Sequence, residues 1–157
     1  MSDMREGVFE DHIWFEDFIV GQKFRFGSWQ MLRAQMIEFA TVYDPEPFHI
    51  DDEEAKKRGW GQITASGLQL NAIWRRLSKD AFPVAETVVS PGWENIRWKK
   101  PVYAGDVLSS LTEIIEARPL ASRPGEGALK LKNQLVRDGD EVVAEITCSW
   151  FIRCKPE

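Results

Sequence analysis

Asp44 and His49 are the residues of this chain whose types and spacing are best suited to chemistry. A carboxylate and an imidazole can share general acid–base work if something fixes their mutual geometry. The segment Asp44-Pro45-Glu46-Pro47-Phe48-His49 carries two prolines that would do so. Proline fixes its own φ and pushes the residue before it out of the helical region, so Asp44 and Glu46 are expected to be extended. The same residues have a plainer explanation. Asp before Pro is a common turn former, and a lone loop histidine is usually no more than that. From the six residues alone, the ordinary turn is the better reading.

The elements on either side decide whether this loop is placed against anything. Leu32 to Tyr43 reads as a helix, with Met36, Ile37, Ala40 and Tyr43 on one face. Its start is poorly capped, because Leu32 stands where Ser, Thr or Asp would accept the free amides. A short helix from Asp52 to Arg58 follows the loop, with Asp51 as N-cap, acidic residues leading, Lys56, Lys57 and Arg58 trailing, and Gly59 as the stop. Its charges are expected to be solvated. Trp60 to Ala65 connects to a helix over 66–79, where Leu70, Ile73, Trp74 and Leu77 form an apolar stripe that Leu68 and Ala72 widen. A helix this apolar is enclosed rather than laid on a surface. Gly67 lies at its mouth, where unpaired N–H groups and the helix dipole favour negative charge. A glycine at that position is equally explained by close packing of helix against sheet.

After Glu86 the chain reads as strand. Thr87 to Trp98 is interrupted by Pro91-Gly92, Val107 to Ala117 follows a turn at Ala104-Gly105-Asp106, and a long loop spans 119–127. Leu129, Leu131, Asn133 and Leu135 alternate with polar residues, Asp138-Gly139 signals a hairpin, and Val142, Ala144, Ile146, Cys148, Trp150 and Ile152 alternate inward. Phe24 to Met31 supplies an earlier strand. The fold class predicted is α+β, an antiparallel sheet wrapped round one long helix. Such a sheet leaves a long edge open, so a symmetric dimer joined edge to edge is expected, as a homodimer or a dimer of dimers.

The bulk properties narrow the function classes. The 157 residues are 43% hydrophobic and 29% charged, as in a soluble one-domain protein. Residues 1–11 read as a loose tail ahead of a single domain over 12–157, and His12 at the boundary has no role. Seven tryptophans and nine phenylalanines fit a core or interface rather than base stacking, because the net charge is −5 and no basic tract exists. Nucleic acid is therefore excluded as a partner. No apolar run is long enough for a membrane span, and no apolar segment follows a basic N-terminus, so a cytoplasmic protein with no membrane partner is expected. Cys148 and Cys154 lie six apart in one strand and cannot bridge each other; no Cys/His cluster suggests a metal.

Asp44-x-Glu46-Pro47-Phe48-His49, then Ala55, Gly59 and Ala65-Ser66-Gly67, resembles the signature of the MaoC-like, (R)-specific enoyl-CoA hydratases, Asp-x-Asn-Pro-(Leu/Ile)-His followed by Ala, Gly and Ala-His-Gly opening a long helix. The resemblance extends to Phe15-Glu16-Asp17-Phe18 with Val20-Gly21-Gln22, and to Trp98-x-x-Pro101-Val102-x-x-Gly105-Asp106. It implies a hot-dog fold and hydration or dehydration of an acyl-CoA or related thioester. Asp44 and His49 would be the acid–base pair, and Gly67 the oxyanion amide. Coenzyme A enters only as part of the substrate, with no separate cofactor. Two positions depart from the family pattern. Glu46 replaces Asn, adding an anion that would perturb the pair if it points inward, and Ser66 replaces His. Serine is a good N-cap, and Thr64-Ala65-Ser66-Gly67 is not a nucleophile elbow, so Ser66 is read as a cap. A hot-dog thioesterase is the first alternative, disfavoured because 66–78 contains no carboxylate; a non-catalytic acyl-CoA-binding module, with Glu46 marking lost activity, is the second. Arg75, Arg76, Arg97, Lys99 and Lys100 could meet the phosphates of coenzyme A, but scattered basic residues are more often plain surface charge and are read so; Trp60, Trp74 and Trp93 are core aromatics before they are pocket walls.

Overall fold

The computed structural model describes residues 4–157. Six strands, β1 (Met4–Glu6), β2 (Lys23–Gln30), β3 (Thr87–Trp98), β4 (Val107–Pro119), β5 (Glu126–Arg137) and β6 (Glu141–Arg153), form one sheet in the order β1-β2-β4-β5-β6-β3. All neighbours are antiparallel except β1 and β2. Three helices accompany it: α1 (Arg33–Tyr43), α2 (Asp52–Lys57) and α3 (Gly67–Ala81). This is the expected α+β hot-dog arrangement, a curled sheet around one long helix.

Helix α3 is the centre of the core because the middle of its stripe falls where the periodicity put it, although Leu68 and Ala72, expected to widen that stripe, are exposed and Gln69 and Asn71 are buried beside it instead. Leu70, Ile73, Trp74 and Leu77 are all buried, packed with Phe24 and Phe26 of β2, Leu129, Leu131 and Leu135 of β5 and Ile146 of β6. The sheet presents its inner face through cross-strand rows such as Phe24–Thr112–Asn133–Ile146. Within that row the Thr112 hydroxyl donates to Asn133 Oδ1 at 2.7 Å and Asn133 Nδ2 donates to the Ile146 carbonyl at 3.1 Å. The polar pair is thus satisfied inside the core, as burial demands.

Three expectations are corrected. Residues 4–6, read as part of a loose tail, form β1 against β2, with Phe9 behind them stacked on Phe82 at 5.0 Å; residues 1–3 of that tail lie outside the described residues. Pro91-Gly92 does not break β3, which continues through it with shifts of register. The strand tolerates proline because it lies at the sheet edge, where an absent N–H breaks no ladder. The strict alternation in β6 fails at Val143, which is fully buried beside a register shift opposite Leu135 and Val136, while Val142 and Trp150 are only half-buried. Cys154 falls just beyond β6, and both cysteines are free, Cys148 buried and Cys154 half-buried. Among the described residues, no helix is long and apolar enough to cross a membrane.

Candidate active site

Asp44 is the residue at which α1 stops. Its N–H still donates to Ala40 O at 2.9 Å, but its ψ of 69° turns the chain out of the helix. Glu46 is extended (φ −67°, ψ 131°), and Pro47 opens a single 3-10 turn, Pro47–His49, whose last amide donates to Glu46 O at 2.9 Å. Pro47 leaves Glu46 extended as expected, whereas Asp44 ahead of Pro45 is out of the helical region without being extended, and the turn swings His49 back under Asp44. His49 Nε2 lies 3.5 Å from Asp44 Oδ2, with the imidazole buried (8% exposed) and the carboxylate side chain 27% exposed.

The other ring nitrogen fixes the tautomer. His49 Nδ1 is 2.6 Å from the Thr64 carbonyl oxygen, which can only accept, so Nδ1 carries hydrogen and Nε2 is left to face Asp44. Thr64 is itself held by its own N–H donating to Phe48 O at 3.3 Å, and Ala65 N donates to Val102 O at 2.8 Å. The strand of chain leading to α3 is thereby tied to both the His49 turn and the Pro101-Val102 segment.

Ser66 joins the helix mouth to the acid. It is the N-cap of α3, fully buried, and its Oγ accepts from Leu68 N at 3.1 Å while donating to Asp44 Oδ2 at 2.6 Å. The sequence showed the cap; the bond to Asp44 crosses from α1 to α3 and has no local signature. Gly67 is the first residue of α3, so its N–H has no intrahelical acceptor. Asp44, His49 and Gly67 line a single cleft of about 380 Å³, with Phe48, Trp60 and Trp98 around it and Lys99 and Lys100 at its rim.

Glu46 is exposed and is not among the cleft-lining residues. The α2 charges were expected to be solvated, and Asp52 departs from that expectation. Asp52 Oδ1 accepts from Ile63 N at 2.9 Å and from Arg33 Nη1 at 3.0 Å, and these partners, the Ile63 amide first, hold its carboxyl below the usual range. Asp51 caps α2 as expected, accepting from Glu53 N and Glu54 N. Arg137, also unremarked in the sequence, donates to Asp106 Oδ2 at 2.6 Å and to Pro101 O at 2.8 Å, fixing the turn that carries the cleft's far wall.

Comparison with known proteins gives a consistent result. The family model described as MaoC like domain matches residues 17–133. A solved MaoC-like dehydratase from Rhodospirillum rubrum superposes with a TM-score of 0.85 at 29% identity, covering 92% of this chain and 99% of that one. An uncharacterized protein of Bacillus subtilis, YdeM, is 29% identical over 111 residues, 70% of this chain and 79% of its own length. A mitochondrial 3-hydroxyacyl-[acyl-carrier-protein] dehydratase of Arabidopsis thaliana is 29% identical over 76 residues, 48% of this chain and 43% of the plant protein.

Proposed function

This chain belongs to the MaoC-like domain family, and from that premise we propose that it catalyses hydration and dehydration of an acyl thioester, interconverting a 2-enoyl and a 3-hydroxyacyl group. The observation that carries the reading is the convergence of Asp44 Oδ2, His49 Nε2 and the first turn of α3 on one cleft. The similar Rhodospirillum and Arabidopsis proteins, named as dehydratases, support the same reaction class.

In the hydration direction three demands must be met. A water must lose a proton as its oxygen bonds to C3, the π pair must move to C2 and onto the thioester oxygen, and C2 must then take a proton. Nε2 and Oδ2 are 3.5 Å apart, so a water on the cleft side of the pair, rather than between them, lies within hydrogen-bond reach of both. His49 presents a bare Nε2 in its neutral form because Nδ1–H is committed to Thr64. Asp44 is oriented by the Ser66 hydroxyl. The pair removes the water's proton and returns one to C2. Negative charge on the thioester oxygen falls on the Gly67 amide, where an orphan N–H and the helix dipole stabilise it. The substrate is an acyl-CoA or a related thioester, and the protein acts as a homodimer or dimer of dimers through the open edge of β3.

A panel of trans-2-enoyl-CoA substrates tests this by loss of absorbance of the conjugated thioester. Hydration of at least one chain length is expected. No hydration of any, or thiol release from saturated acyl-CoA in its place, overturns it.

A further inference from the structure

The helix mouth that the hydratase reading needs open is closely covered on one side. A Cβ built on Gly67 would fall closer than 3.0 Å to Cε2, Cδ2 and Nε1 of Trp98, so the indole lies directly against the Gly67 backbone. Trp98 Nε1–H donates to Asn71 Oδ1 at 3.3 Å, and Asn71 is buried on α3 one turn beyond Gly67. Yet Trp98 is 53% exposed. It lines the catalytic cleft, and a large ring left half in water contributes little to the core.

The backbone is arranged to put it there. Pairing of β3 with β6 shifts register between Glu94 and Arg97, around Asn95 at φ 53°, a conformation Asn tolerates better than most residues. An irregularity of this kind re-aims the side chains that follow it. Just beyond the ring, Lys99 N and Lys100 N both donate to Val143 O, at 2.8 and 3.3 Å. Trp98 is thus held from its backbone by β6 and from its Nε1 by α3.

We propose that Trp98 is a positioning residue for the thioester. It walls off one side of the Gly67 amide, so the carbonyl oxygen reaches that amide only from the side of Asp44 and His49, and it keeps water from the oxyanion. Asn71 sets the orientation of the ring. The proposal rests on the hydratase reading and assigns to Trp98 a part of the reaction's geometry that neither the acid–base pair nor the amide supplies.

The test uses the full chain with the best 2-enoyl-CoA of the panel. Trp98→Ala is expected to lower kcat about tenfold to a hundredfold, the scale of a misplaced reacting group, with KM little changed. Trp98→Phe keeps a ring near Gly67 but loses the bond to Asn71, and so recovers part of the loss and not all of it. Melting temperatures stay near that of the wild type, because the ring is half exposed. In Gly67→Ala the new methyl displaces the ring, so the double variant Gly67→Ala/Trp98→Ala is no slower than Gly67→Ala alone. Wild-type kcat in Trp98→Ala, a fall in kcat that tracks a fall in melting temperature, or losses that multiply in the double variant would each overturn the proposal alone. A wild type that hydrates no enoyl-CoA would instead remove the hydratase reading and this proposal with it.

Discussion

Ser66 is the residue whose two bonds tie the helix to the acid. As N-cap it satisfies Leu68 N, and as donor it holds Asp44 Oδ2. Ser66→Ala removes both. The cap contributes about 1 kcal/mol to stability, and the loss of orientation at Asp44 lowers kcat. Ser66→Thr restores both, whereas Ser66→Gly, which costs little as a cap, restores stability without restoring kcat. Steady-state kinetics beside thermal melts separate the two effects; equal activity in all three variants would deny Ser66 any part beyond the cap. Glu46 is the opposite case. The sequence marked it as a departure that could alter the pair, but its side chain is exposed and outside the cleft. Glu46→Gln should leave kcat and its pH profile unchanged.

At the scale of elements, what the sequence disclosed and what it withheld follow a physical line. Local interactions were legible. The poor start of α1, the Asp51 cap of α2, the apolar stripe of α3 and the proline-held loop all follow from residues within a few positions of each other. Contacts made across the fold were not. Ser66 to Asp44 spans 22 residues, Asp52 to Ile63 spans 11, and Arg137 to Asp106 spans 31. A charged residue gives no sign of which distant amide it will meet. Pro91 misled for the same reason, since its tolerance depends on β3 being an edge strand, which only the assembled sheet reveals. Asp52 offers a test at this scale. Asp52→Ala frees the Ile63 amide and Arg33, loosening the segment that carries Thr64 to His49. Hydrogen exchange at 62–65 should accelerate and kcat should fall; unchanged exchange there would show that the segment is held by other contacts.

For the whole molecule, a buried thiol sets a limit on alkaline stability. Burial pushes the Cys148 thiol up to about 11 from its ordinary 9.0. Between these values the unfolded chain releases a proton that the folded chain retains. Stability on this account is complete below pH 9 and declines as pH rises towards 11, by on the order of 2 kcal/mol. Cys148→Ala should lose stability at neutral pH by leaving a small cavity, yet flatten the decline above pH 9. Denaturant melts at pH 7 and pH 10 for both chains check this, and an equal decline in the variant would assign it to other groups. The same burial protects Cys148 from alkylation, so native protein should present Cys154 alone to a thiol reagent, and both cysteines once unfolded.

On the reading proposed above, Asp44 and His49 act as one acid–base unit at the mouth of α3. The most direct test of that reading is the hydration rate of Asp44→Asn, His49→Gln and the double variant on the best enoyl-CoA substrate. Each single change is expected to lower kcat by about 10² to 10⁴. The double variant should fall little further, because groups that act together are not additive when removed. Full activity in Asp44→Asn, or single losses that multiply in the double variant, would contradict the account.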